Sequence, residues 1–227
     1  MTGTALTAGQ VQAIVQSPRS LWDPTFVETS WITQSATGSQ PIQILTHLQN
    51  KINVSNAGMK IAITEYENGG FNHIAGTIAQ ADNLGIFGAQ GVFAANFWPP
   101  SGTYSYTLAG FRAFRGFDGA TANFGDTSLQ ATSSDVSSVM VYASSDTSAP
   151  GRYVFVAVNR SAAQKVTAIN GLPALSGTAH VYQMTAASAQ GQNPVEPVSI
   201  GTIPASGTSL AIVLPALSVT TIEVTQP

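Results

Sequence analysis

Hydrophobic positions along the chain switch between two periods. Ile42, Leu45, Leu48 and Ile52 recur at helical spacing. Lys60-Ile61-Ala62-Ile63-Thr64-Glu65-Tyr66 then reads as a short buried strand that runs through Glu67 and Asn68 into Gly69-Gly70. Ile74, Ile78, Ala81 and Leu84 return to the helical period, up to Phe87. A second apolar strand follows, Val92-Phe93-Ala94-Ala95-Asn96-Phe97-Trp98, closed by Pro99-Pro100. Leu108, Phe111 and Phe114 mark one more helix, stopped at Asp118-Gly119. Helix, strand, helix, strand, helix is the alternation of a parallel α/β sheet.

Ahead of this block, Val11, Ile14 and Val15 give a weak helical pattern that stops at Pro18. Asp23-Pro24 predicts a loop, then a short helix, and residues 35–40 form a polar linker. Pro41 falls at a first-turn position of the next helix, where its missing N–H costs nothing. Asn56-Ala57-Gly58 ends that helix, and Asn72 is the expected N-cap of the helix after the first strand. After Gly125 the texture changes. Short alternating or β-branched runs occupy 127–133, 136–144, 151–159, 164–170, 177–184, 195–203, 207–214 and 217–225, with turn signals between them. Eight such runs predict an antiparallel β-sandwich. The expected division is 1–120 for the α/β part and 121–227 for the all-β part.

Composition narrows the function classes. Charged residues make up 8%, about a third of the usual ~25% share. A net charge of −3 leaves no basic footprint for nucleic acid. The absence of cysteine excludes disulfides and thiol chemistry. No run approaches the ~20 apolar residues that span a membrane, and Met1-Thr2-Gly3-Thr4 lacks the basic and apolar regions of a signal peptide. An uncharged, Ser/Thr-rich surface suits an exported bacterial protein. No spacing points to a metal site, and no cofactor is expected.

In parallel α/β barrels the chemistry sits where strands end, and Glu65 occupies such a place. Strict alternation puts Ile61, Ile63 and Glu65 on one face, so that Glu65 tops a layer filling a barrel interior, with Ala62, Thr64 and Tyr66 on the other. Val92, Ala94, Asn96 and Trp98 share a face of the second strand. A strand-end carboxylate among aromatic residues is equipment for cleaving glycosidic bonds, which break through an oxocarbenium-like transition state served by two carboxyl groups. Trp98, Trp22 and Trp31 are candidate sugar platforms. Against this, a strand-end Glu is more often solvated or ion-paired than catalytic, and Trp is more often core than platform. His73, beside a helix start, reads as structural; Asp23 and Glu28 read as turn and helix-surface acids.

Thr64-Glu65-Tyr66-Glu67-Asn68-Gly69-Gly70, with His73-Ile74, Ile78-Ala79-Gln80-Ala81-Asp82 and Leu84-Gly85-Ile86-Phe87-Gly88, resembles glycoside hydrolase family 44. Arg19-Ser20-Leu21-Trp22-Asp23-Pro24, Trp31-Ile32 and Asn96-Phe97-Trp98-Pro99 are similar to that family's flanking segments, and Leu217-Ser218-Val219-Thr220-Thr221-Ile222 to the closing strand of many glycosidase sandwich domains. The resemblance implies a retaining endo-β-1,4-glucanase, of cellulase or xyloglucanase type. It also implies a (β/α)8 TIM barrel followed by a β-sandwich, with Glu65 as nucleophile. Trp98, Trp22, Tyr66, Glu67, His73 and Asn96 become the expected substrate-binding residues, and a β-glucan polysaccharide the expected partner, outside the cell.

Two departures from the family pattern stand out. Glu67 occupies a position where an amide or a shorter acid is expected. Only two barrel strands are visible, placed by the resemblance as the seventh and eighth, and the family's acid/base belongs to an earlier strand. The sequence therefore reads as the C-terminal part of a longer enzyme, expected to associate with the missing N-terminal half of the barrel or with itself. The alternative is a non-catalytic carbohydrate-binding or structural module.

Overall fold

The computed structural model describes residues 5–98, 102–190 and 192–226; the expected proline stop at Pro99-Pro100 and the N-terminal Met1–Thr4 lie outside them. The chain opens with helix α1 (Ala8–Gln16), a 3-10 helix (Ser17–Leu21), α2 (Trp31–Ala36) and α3 (Ile44–Ser55). Strand β1 (Ala62–Tyr66), helix α4 (Ile74–Ala89), strand β2 (Ala94–Phe97) and helix α5 (Ser105–Arg112) follow. β1 and β2 pair in parallel. They form a two-stranded sheet rather than a closed barrel.

Helix α4 is the centre of the molecule. Thirteen of its sixteen residues are buried, from Ile74 to Phe87 with Leu84 the half-buried exception. A helix buried all round has no solvated polar face; eleven of its sixteen residues are Ala, Gly, Ile or Phe, and its buried polar side chains, Thr77, Gln80, Asp82 and Asn83, all have hydrogen-bond partners. Its small residues set how closely neighbours approach. A Cβ on Gly85 would lie 2.2 Å from the Tyr142 ring, and one on Gly110 of α5 would lie 2.6 Å from the Gln80 side chain.

The remaining strands are β3 (Thr127–Leu129), β4 (Val139–Ser145), β5 (Arg152–Asn159), β6 (Lys165–Leu175), β7 (Thr178–Met184), β8 (Val198–Pro204), β9 (Gly207–Leu214) and β10 (Ser218–Thr225). All eight expected runs are strands. Six form an antiparallel sheet in the order β3-β4-β5-β10-β7-β8, while β6 pairs, among the described residues, with β9 alone. Alternation along the large sheet serves two cores. Met140, Tyr142, Val156, Val158 and Val219 face α4 and the other helices. Val139, Ala143, Phe155, Ala157 and Ile222 face Leu210, Ile212 and Leu214 of β9. Strands buried on both faces read as near-continuous apolar runs, as Tyr153-Val154-Phe155-Val156-Ala157-Val158 does.

A buried polar cluster joins helices and sheet. Asp82 of α4 and Arg160, which follows β5, are both fully buried. Arg160 Nε donates to Asp82 Oδ2 at 2.9 Å, a second guanidinium nitrogen donates to the same oxygen, and the Tyr142 hydroxyl donates to Oδ1 at 2.6 Å. Burial first, then the neighbouring Asp82 charge, pushes the Tyr142 phenol well above its ordinary range. The first core therefore runs unbroken from the helices before residue 120 to the strands after it.

Three local expectations are corrected. The N-cap of α4 is His73, whose Nδ1 accepts the Ala75 N–H at 3.1 Å; Asn72 donates instead to the Thr103 hydroxyl at 2.7 Å. Pro41 lies outside α3, because the left-handed Gln43 (φ 44°) sets the start at Ile44. Asp23 is no plain turn acid: it is buried and paired with Arg19 at 2.7 Å. Burial works to raise its pKa, but the Thr25 N–H and hydroxyl together with Arg19 outweigh it and hold the carboxyl below its usual range.

Candidate active site

The C-terminal ends of β1 and β2 assemble the residues singled out in the sequence, though not by simple alternation. The register pairs Ile63 with Ala95 and Tyr66 with Phe97, so that Thr64 and Glu65 together stand opposite Asn96. Such a bulge inserts one residue and re-aims the side chains beyond it. Its consequence is visible in the packing. Ile61, Ile63 and Tyr66 all pack into the helix-side core, whereas Ala62, Thr64 and Glu65 are exposed on the other side. The expectation that Ile61, Ile63 and Glu65 share a face is thus overturned by the extra residue. Glu65 instead shares the helix-free face with Ala94, Asn96 and Trp98, all exposed. The Trp98 N–H bonds to the Tyr66 carbonyl at 3.0 Å, which fixes Trp98 one step beyond Glu65 along the rim, and its side chain is 56% exposed.

The helix side of the same strands supplies rigidity. The Tyr66 ring meets Phe87 edge-on at 5.1 Å and Phe97 at 6.0 Å. Its hydroxyl accepts a hydrogen bond from Gln80 at 2.7 Å, and burial raises its pKa. Tyr66 therefore stands away from the open face, while His73 is half-buried at the start of α4. Burial lowers the pKa of His73, whose Nδ1 is occupied as the helix cap. Trp22 is half-buried against the first core, with its indole N–H buried and unpartnered among the described residues. Trp31, in contrast, is 75% exposed on α2.

The loop after β1 is held by contacts that no sequence pattern announces. The Glu67 carboxylate accepts the Gly69 N–H at 2.7 Å, closing a tight turn. Asn68 donates to the Ser17 hydroxyl at 2.7 Å and accepts from Asn83 of α4, tying the loop to two elements. Gly70 adopts φ 72°, and a Cβ there would lie 2.7 Å from the Gly76 nitrogen. Only glycine combines the left-handed backbone with that approach. Asn68, Asn83 and Gly76 are the residues sequence reasoning passed over; the Gly69-Gly70 pair was the one available signal.

The class defined so far is an α/β protein. It displays a carboxylate, an amide and an indole on one rim of a parallel strand pair, backed by a rigid helical layer. No family model matches the sequence. Similar proteins nevertheless agree with one another. The chain is 45% identical over 133 residues to endoglucanase A of Paenibacillus lautus, a match that covers 59% of this chain and 19% of that protein. A Paenibacillus polymyxa xyloglucanase from glycoside hydrolase family 44 superposes with a TM-score of 0.84 at 31% identity, over 96% of this chain and 42% of that one. Cel44A, a family 44 endoglucanase from Clostridium thermocellum, gives 0.81 at 34%, over 94% and 41%. The chain is thus similar to enzymes of glycoside hydrolase family 44 over nearly its whole length, and it spans about two fifths of the length of those solved enzymes.

Proposed function

We propose that this chain is part of a retaining endo-β-1,4-glucanase in which Glu65 is the nucleophile. The observation that carries the reading is the placement of Glu65 at the C-terminal end of a parallel strand. There it is exposed on the helix-free face beside Asn96 and Trp98. β1, α4, β2 and α5 then form the last units of a (β/α)8 barrel, residues 1–120. Residues 121–227 form a β-sandwich packed on its outside through α4. Glu65 attacks the anomeric carbon of a β-1,4-glucan, of cellulose or xyloglucan type, and forms a covalent glycosyl-enzyme that water then hydrolyses. Retention needs a second carboxyl group about 5–5.5 Å away, which comes from a barrel strand outside this sequence. Asn96, opposite the bulge, is placed to hydrogen-bond a sugar hydroxyl near the attacked carbon, and Trp98 offers a flat apolar surface to a pyranose ring. Glu67 and Trp22 line the same region, while Tyr66 and His73 act by holding the strand end in place. A polysaccharide substrate puts the enzyme outside the cell.

Azide rescue tests the nucleophile. In the enzyme that contains this chain, Glu65→Ala removes the attacking oxygen and halts turnover of a β-glucoside bearing a good leaving group. Azide then attacks from the vacated face and gives the α-glycosyl azide. Formation of that α-azide is expected. Rescue that returns a β-configured product, or turnover of Glu65→Ala near the parent rate, would reject the assignment.

A further inference from the structure

Helix α4 carries two buried amides, Gln80 and Asn83, each 2% exposed. Residues three apart share a helix face, and both of these reach the end of β1. Gln80 Nε2 donates to the Tyr66 hydroxyl at 2.7 Å, and Asn83 Nδ2 donates to Asn68 Oδ1. The second bond continues in one direction. Asn68 donates to the Ser17 hydroxyl at 2.7 Å, which donates to the Ile14 carbonyl at 2.8 Å. Glu65 thus lies between the Ile63–Ala95 pair of the ladder and a pinned Asn68, in the stretch where the register shifts. In a bulge the extra residue is unpaired, so the ladder does not fix which side chains face which side. Neighbouring side chains of a strand point to opposite faces, and a Tyr66 drawn to the helix side turns Glu65 to the open one.

We propose that Gln80 is a positioning residue for the reaction: through the Tyr66 hydroxyl it keeps the bulge turned so that the Glu65 carboxylate faces the sugar. This inference rests on the role given to Glu65. Ring packing alone does not do the same. The Tyr66 ring meets Phe87 and Phe97 edge-on, and such apolar contacts are weakly directional, whereas a hydrogen bond weakens steeply as it bends. Gln80 is itself held firm. Gly110 of α5 packs on its stem, where a Cβ would lie 2.6 Å from Gln80 Cβ and 2.8 Å from its Cγ. A side chain fixed by packing passes its position on to the group it holds. Stability alone gives no reason for the pair, because replacing both partners by apolar groups of the same shape is nearly neutral. Placement does give one: moving the attacking oxygen by about 1 Å costs on the order of 100-fold in rate.

Variants of the enzyme that contains this chain separate position from stability. Gln80→Leu combined with Tyr66→Phe removes both polar groups, so the urea midpoint should stay at the parent value. Its kcat on an aryl β-cellobioside should nevertheless fall at least about tenfold, with KM changed less than about twofold. Gln80→Glu does the reverse. It keeps the reach and a partner for the Tyr66 hydroxyl but buries an acid, so the midpoint should fall while kcat stays within about threefold of the parent. Thr77→Val removes a buried α4 bond that goes to the Tyr106 carbonyl of α5 instead, and should leave kcat and KM unchanged. Should Gln80→Glu not fold, the apolar pair decides alone. Parent-like kcat in the apolar pair, kcat that falls in step with the midpoint across the variants, or an equal kcat loss in Thr77→Val would overturn the proposal. Glu65→Gln measured beside them keeps the two claims apart. Near-parent turnover of Glu65→Gln overturns both, whereas an inactive Glu65→Gln beside a parent-like apolar pair overturns the role of Gln80 only.

Discussion

Asp82→Ala probes the joint between the helices and the large sheet. In the parent protein Asp82 and Arg160 have side-chain exposures of 0% and 0%, so the substitution strands a guanidinium where water cannot reach it. Removing one partner of a buried pair costs about 3–5 kcal/mol. The Tyr142 hydroxyl also loses its acceptor, at about 1–3 kcal/mol, and because the two share one carboxylate the losses do not simply add. A total near 4 kcal/mol corresponds to a midpoint lower by roughly 8–16 °C for a domain of this size. Replacing the whole cluster gives the sharper comparison. Asp82→Leu, Tyr142→Phe and Arg160→Met together remove every member of the cluster and leave only the part-buried Val136 carbonyl without the donor it has in Arg160, and stability should return to within about 2 kcal/mol of the parent. Urea unfolding followed by far-UV circular dichroism and by tryptophan fluorescence measures both. The three tryptophans lie in the helical half while most strands lie in the other, so one shared core requires the two signals to change together. An Asp82→Ala loss below about 1 kcal/mol, or two separate transitions, would refute the reasoning.

Two glycines of α4 should respond to alanine with opposite sign. Gly85→Ala gains about 1 kcal/mol of helix propensity but drives a Cβ to 2.2 Å from the Tyr142 ring and should destabilise by about 1–3 kcal/mol net; Gly88→Ala meets nothing within 4 Å and should stabilise by about 0.5–1 kcal/mol, both read from urea midpoints. His73 should make stability fall on acidification. Its folded pKa is lowered from 6.5 by burial, so below that value the unfolded chain binds the proton more readily, and stability is lost as pH falls through the folded pKa; His73→Asn, which keeps a cap, should flatten the profile between about pH 7 and 5, and an unchanged slope would count against this. Trp98→Ala should weaken oligosaccharide binding in the assembled enzyme while shifting stability by less than about 1 kcal/mol, as its 56% exposure implies. A large stability loss with unchanged affinity would mark Trp98 as structural.

The strands were legible because both periods that define them are local. Val154, Phe155 and Val156 announce a doubly buried strand, and the turn residues Asp146 to Gly151 separate β4 from β5; Asn170-Gly171, which reads as a turn, lies instead inside β6. The bulge at Thr64-Glu65 was not legible, since it depends on the register with β2 and leaves no mark on the composition of β1. Strict alternation therefore put Glu65 with Ile61 and Ile63. The polar joint was hidden for another reason. Asp82, Tyr142 and Arg160 are as many as 78 residues apart along the chain, and only the fold brings them together. Asn68 looked like part of a turn, although its work is to bind Ser17 and Asn83 across 51 and 15 residues.

Covalent trapping is the most direct measurement of the central claim. A 2-deoxy-2-fluoro-β-cellobioside with a good leaving group forms the glycosyl-enzyme, while its fluorine slows the hydrolysis that follows, so the intermediate accumulates. The enzyme containing this chain is incubated with the reagent, digested and mapped by mass spectrometry. A single added 2-deoxy-2-fluorocellobiosyl group on the peptide containing Glu65, lost in Glu65→Gln, is the predicted result. A label on any other carboxylate, or unchanged labelling of the Glu65→Gln variant, would contradict it.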